Sequence, residues 1–243
     1  MNWNYLILIL AATIAGGIIP MTVKRVNANF SIYLLAFTGA FLFGVIIMHL
    51  LPEVYEALGH QAGVYIVLGF FLQVFLQQLS HGMEHGHTHI PQTHHHHIAV
   101  TPLLLGLSIH AFMEGLPLGF KYNDHSALPS LMAGVAAHKI PEALTLITVM
   151  MHANKKRADL WRILIIFALV TPLAAVLAGW LGSRFEVIQH YLLYVVALVV
   201  GAFLHISTTI FYESGTKHHE LSRKKVLAIA LGLLLAFLTL IFE

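Results

Sequence analysis

His110 and Glu114 stand four residues apart in HAFMEGLPLG, and His138 and Glu142 repeat that spacing in HKIPEALTLI. Residues four apart on a helix share a face, so each segment turns an imidazole and a carboxylate the same way. Neutral imidazole nitrogen and carboxylate oxygen are ligands for zinc and its first-row neighbours, and four of them complete a tetrahedral shell. Two ionised glutamates would cancel the charge of a dication. Cysteine is absent, which removes thiolate sites, disulfides and cysteine nucleophiles. Nitrogen and oxygen alone should hold a metal moderately, as suits an ion that must leave again. One such pair by itself reads more readily as a hydrogen bond between helices; two pairs point to a metal.

Both pairs lie inside apolar runs. Of 243 residues, 58% are hydrophobic and 10% charged, against about 25% charged in a soluble domain. The expectation is an all-α membrane protein, one transmembrane domain over residues 1–243. At 1.5 Å rise a span needs about 20 residues, and eight fit: about 4–22, 32–51, 62–79, 98–120, 127–152, 160–182, 187–212 and 223–242. The first run lacks a basic leader and a small-residue cleavage site before Lys24 and Arg25, so it reads as a retained span and not a signal peptide. A formal net charge of +2 gives no reason to expect nucleic acid, and no nucleotide-binding motif occurs.

Ionisable groups at membrane depth are costly and usually face a bundle interior or an ion path. Beside them, Pro117 frees the carbonyl of Met113, Pro141 frees that of Ala137, and Gly115 admits a close backbone. Such loosened turns suit a midplane ion site. Ala133, Gly134, Ala136 and Ala137 allow tight helix contact.

Lysine and arginine set the orientation. With the N-terminus outside, the inner loops hold Lys24, Arg25, Lys155, Lys156, Arg157, Arg162, Lys217, Arg223, Lys224 and Lys225, and the outer side only Lys121 and Arg184. Both termini then lie outside, and the histidine-rich stretch 80–97 is cytoplasmic.

With these residues in place, the chain resembles the ZIP (Zrt/Irt-like) family of divalent metal transporters. The resemblance is carried by HAFMEGLPLG, by HKIPEAL, by MHLLPE at 48–53 and by the histidine-rich loop after the third span. The HKxP form of the fifth span, with His152 after it, resembles one subgroup. The family implies a 3+2+3 bundle, with two inverted three-helix repeats around the two central helices. It also implies metal ligands at His110, Glu114, His138 and Glu142, movement toward the cytoplasm and a homodimer. Many relatives hold two metals, using a polar residue after each motif histidine and an acid on the sixth span. Here those residues are Ala111 and Lys139, and 160–182 has no Asp or Glu. Lys139 is therefore expected to tune the site, its ammonium replacing a second cation; the alternative is an architectural charge pair.

His49 and Glu53, again four apart, are candidates for an outer entrance, with Pro52 closing that helix. His205 and Glu213 are candidates for the exit, or else serve helix packing. His81, His85, His87, His89, His94, His95, His96 and His97 offer weak, adaptable metal binding in the loop, a further part of the candidate exit. The expected function is a secondary transporter of Zn2+, with Fe2+, Mn2+ or Cd2+ as further cargo, in a bacterial plasma (inner) membrane. Its partners are the metal ion, the lipid bilayer and a second copy, with no organic cofactor and no enzymatic step. The alternative is an intramembrane zinc-dependent hydrolase, although HExxH is absent. Because the ligands must be deprotonated, transport is expected to fall as pH drops below the histidine range.

Overall fold

In lipid, apolar runs satisfy their backbone polar groups most simply as helices. The computed structural model describes residues 3–23, 28–79, 100–119, 127–213 and 222–241, and these form helices and short turns without strands. In order they are α1 (Trp3–Thr22), α2 (Ala28–Val45), a π-helical turn (Ile46–Leu50), α3 (Leu51–Leu58), α4 (Gln61–Leu79), α5 (Val100–Gly119), α6 (Ala127–His152), α7 (Arg157–Arg184), α8 (Glu186–Glu213) and α9 (Arg223–Thr239). α2, the π turn and α3 are continuous, so the described residues make eight rods. Six of them are long and apolar enough to cross a membrane: α1, the α2–α3 rod, α4, α5, α7 and α8. The other two are α6, made more polar by His138, Lys139 and Glu142, and α9, which has 17 residues.

The helix expected to close at Pro52 instead runs on to Leu58. Proline lacks an N–H, and its ring crowds the carbonyl four residues back. The π turn just before it widens the helix, with the Leu51 N–H bonded to the Ile46 carbonyl, so the rod passes through the proline.

The tightest packing joins α1 to α6, α5 to α7, α4 to α8 and α2 to α9. Exchanging α1, α2, α4 and α5 for α7, α8, α9 and α6 leaves that set of pairs unchanged. Glycine makes each approach possible. A Cβ added at Gly16 would lie 2.3 Å from the Ile140 carbonyl oxygen, at Gly115 2.3 Å from that of Thr171, at Gly201 1.9 Å from that of Ile66, and at Gly232 2.4 Å from that of Phe37. Without a hydrophobic force between helices in lipid, such backbone-to-backbone contact is what holds a bundle. The expected role of Gly115 is met by α7. On α6, however, the closest backbone approach falls at Ile140, one turn beyond the small residues at 133–137. Large apolar side chains such as Phe71, Ile166 and Phe237 point outward, onto faces that acyl chains cover.

Candidate metal centre

α5 and α6 bring their polar faces together in the interior. His110 and Glu114 come from α5, and His138, Lys139 and Glu142 from α6; all five are buried. One ligand atom from each of His110, Glu114, His138 and Glu142 falls within 4.8 Å of the others, and no other group of three or more such residues occurs among those described. The i,i+4 spacing places each pair on one face, and the opposition of the two helices makes two faces into one site.

Glu114 is the hub. Its Oε1 lies 2.7 Å from His110 Nε2 and also meets His138 Nε2, while its Oε2 lies 2.5 Å from Lys139 Nζ. Lys139 Nζ also bonds Glu142 Oε2 at 2.6 Å. Glu142 Oε1 points back toward the imidazoles, 4.0 Å from His110 Nε2, and is a buried acceptor without a hydrogen-bond partner among the described residues. On each carboxylate the lysine thus takes Oε2 and leaves Oε1 on the side of the imidazoles. Lys139 does not snorkel out of the bundle.

Around this set, the ring orientation of His138 is fixed from behind. Its Nδ1 lies 2.8 Å from the Gly134 carbonyl, which can only accept, so the proton is on Nδ1 and Nε2 faces the carboxylates. A hydrogen bond of this kind is how proteins set the ligand nitrogen of a metal-binding imidazole. Phe203 of α8 sets its ring edge-on to His138 at 5.9 Å, and the Phe167 ring of α7 lies 5.2 Å from Lys139 Nζ, a cation–π contact. Thr171 of α7 donates to the Ala111 carbonyl at 2.9 Å and ties α7 to α5 beside the site. Sequence reading missed Phe167, Thr171 and Phe203. They lie on other helices, and nothing in their local sequence separates them from ordinary core residues.

The other candidates lie elsewhere. His49 is buried in the π turn, its Nε2 3.0 Å from Thr239 Oγ1 of α9; Glu53 is half-buried on α3. His205 meets Gln77 Oε1 of α4 at 2.6 Å and packs its ring against Phe70. It therefore bridges α8 to α4. Neither histidine belongs to the central group. Glu213 ends α8, and its side chain lies outside the described residues, as do His81, His85, His87, His89 and His94 through His97.

Comparison with known proteins matches this pattern to one family. The family model described as ZIP Zinc transporter matches residues 77–240. The chain is 30% identical over 200 residues to zinc transporter ZIP9 of Micropogonias undulatus, covering 74% of this chain and 64% of the relative. It is 30% identical over 191 residues to ZIP9-B of Xenopus laevis, covering 71% and 62%. To ZIP9 of Macaca fascicularis it is 29% identical over 148 residues, covering 54% and 63%. The chain thus spans less than two-thirds of the length of these relatives. Since the matched stretch runs from the end of α4 through α9 and encloses all four clustered residues, the chain belongs to the ZIP zinc transporter family.

Proposed function

We propose that this membrane protein is a secondary transporter that carries a divalent metal ion, preferentially Zn2+, into the cytoplasm through the centre between α5 and α6. One observation carries the reading: two imidazoles and two carboxylates, buried on facing helices, offer ligand atoms within 4.8 Å of one another. The relatives above are named zinc transporters. Tetrahedral zinc with bonds near 2.0–2.1 Å separates its ligand atoms by ~3.3 Å. The contact at 2.7 Å between His110 and Glu114 and the 4.0 Å gap from His110 to Glu142 bracket that spacing, so small side-chain shifts accommodate the ion. Fe2+, Mn2+ and Cd2+ accept the same donors. The membrane potential would drive a dication inward with about 2.3 kcal/mol per charge per 100 mV.

Lys139 makes the centre a one-metal site. Its ammonium neutralises part of the carboxylate charge and stands on the oxygens that a second ion would need. Repulsion between unit charges 4 Å apart is about 4 kcal/mol at an effective dielectric of 20, and a dication doubles it. The exchange symmetry of the helix pairs supports two three-helix repeats about α5 and α6. In an up-and-down chain of eight spans, the first and sixth run in opposite directions, so the repeats are inverted. Lysine and arginine placement supports the inward direction, with both termini outside. The family resemblance supports a homodimer. His49 with Glu53, and His205 with Glu213 and the loop histidines, remain the proposed entrance and exit.

A hydrolase would need an open metal position for water and a free base. Here both carboxylates face Lys139 and the imidazoles. Uptake of radioactive zinc into liposomes containing only this protein tests the function. Uptake that competing metals reduce, and that His110→Ala and Glu142→Ala abolish, is the expected result; sealed liposomes that take up no zinc would overturn the reading.

A further inference from the structure

The connection from α6 to α7 reverses the chain within a few residues. The Ala153 N–H bonds the Val149 carbonyl at 2.9 Å and the Lys155 N–H that of Met150 at 3.2 Å. Asn154 between them has φ 54°, a left-handed conformation that asparagine tolerates better than most residues. α7 then begins at Arg157, and no side chain caps its first turn. A cavity of about 400 Å³ opens at this corner, lined by Met21 of α1, Met151 of α6, Asn154 and Lys155 of the turn, and Arg157 and Leu160 of α7.

The two sides of this cavity differ in chemistry. Lys155, Lys156 and Arg157 are exposed and form no ion pair with a described acid. The one carboxylate in this stretch, Asp159, takes Arg162 at 3.4 Å. Cations without a counterion, over uncapped helix N–H groups, favour an anion. The opposite wall is thioether and leucine, which a free inorganic anion would leave bare. The site also stands where three membrane helices end, at the depth where lipid headgroups lie.

From this charge and apolar complementarity we propose that the corner between α1, α6 and α7 binds the phosphate headgroup of an anionic phospholipid. The phosphate meets Lys155, Arg157 and the start of α7, while the glycerol and upper acyl carbons cover Met21, Met151 and Leu160. The site is separate from the metal centre and does not depend on what that centre carries.

Native mass spectrometry of the full chain with phosphatidylglycerol or phosphatidylcholine of identical acyl chains tests it. Wild type should retain phosphatidylglycerol in clear preference. Lys155→Ala with Arg157→Ala should weaken retention roughly tenfold or more, since each cation at a membrane surface contributes about fivefold. Lys156→Ala with Arg162→Ala removes equal charge outside the cavity lining and should weaken retention clearly less. A photoactivatable phosphatidylglycerol should crosslink wild type within 151–160, a result that needs no variant to fold. Equal retention of the two lipids, equal loss in both double variants, or crosslinks confined elsewhere would overturn the proposal. So would thermal stabilisation by millimolar inorganic phosphate equal to that by phosphatidylglycerol, which would make a free anion the ligand.

Discussion

The α5–α6 centre and the histidine at the α2–α9 contact bury their imidazoles to the same degree: His138 is 4% exposed and His49 5%. Their proton arrangements are opposite. At the centre, His138 places its proton on Nδ1 toward a backbone carbonyl and turns Nε2 to carboxylates. Thr239 gives its own hydroxyl proton to the Ala236 carbonyl, so it accepts from His49, and the proton there sits on Nε2. His205 follows the second pattern, because Gln77 Oε1 can only accept. The clasp with Thr239 or Gln77 needs no charge on either partner, whereas the centre gathers carboxylate charge that calls for a cation. Burial of a histidine therefore says little about metal. What distinguishes the centre is the nitrogen left facing inward and the charge it faces.

Breaking the centre should produce the largest effects. Glu142→Ala or His110→Ala should reduce uptake in proteoliposomes to that of protein-free vesicles. Zinc affinity should fall by more than the 10- to 100-fold that loss of a group merely supporting a ligand costs, an order-of-magnitude bound. Glu142→Gln keeps the shape and removes the charge, and should do nearly the same. Uptake within about twofold of wild type in any of the three would place the transported ion elsewhere. Lys139→Ala comes next. With the ammonium gone, the freed carboxylate oxygens should admit a second ion, raising bound zinc from one to two per chain by titration. The metal-free protein should also lose stability, about 3–5 kcal/mol for a broken buried ion pair, and regain it when zinc is added. Unchanged stoichiometry together with unchanged transport would reduce Lys139 to an architectural charge.

Sequence reading reached the centre because its information is local. Four-residue spacing within a helix is a statement about one face, and two apolar runs with the same polar spacing on neighbouring helices have few places to put it. The same rule was weaker at His49 and Glu53, because their interval crosses a π turn, where α-helical register does not hold. Pro52 looked like a helix end for a related reason: the device that lets a rod pass a proline lies in the preceding backbone and leaves no mark in the residue types. Which groups surround the centre was not legible either. Phe203 is 65 positions from His138 in the chain, and only the packing of α8 sets its ring against the imidazole. The close approaches at Gly16 and Gly201 were likewise invisible, since a glycine in an apolar run does not name its partner.

The clasps should respond in the opposite sense to the centre. His205→Ala and His49→Ala each remove a hydrogen bond between helices, worth about 1 kcal/mol or somewhat more, and so lower the melting temperature by about 2–4 °C in a chain of this size. Uptake at saturating zinc should change little. A His49→Ala protein of normal stability that takes up zinc slowly only at low concentration would bear out the entrance role beside the clasp, whereas unchanged uptake at every concentration would leave the clasp alone.

The smallest effect is expected from the histidine-rich segment. Its imidazoles alternate at His85, His87 and His89 and then run consecutively from His94 to His97. Consecutive side chains point in different directions in any regular backbone, so no one conformation presents all of them to a single ion. Metal binding there should be weak and adaptable, suited to holding ions briefly once released and unsuited to selecting them. Deleting 80–97 and joining the flanking helices with a neutral linker of equal length should therefore leave initial uptake within about twofold and leave metal selectivity unchanged. The difference should appear later in the time course, as altered retention of zinc near the inner face. Abolished uptake in a deletion protein that still folds and binds zinc at the centre would show that the loop is an obligatory step of the exit, and the centre would no longer be the one point that governs uptake.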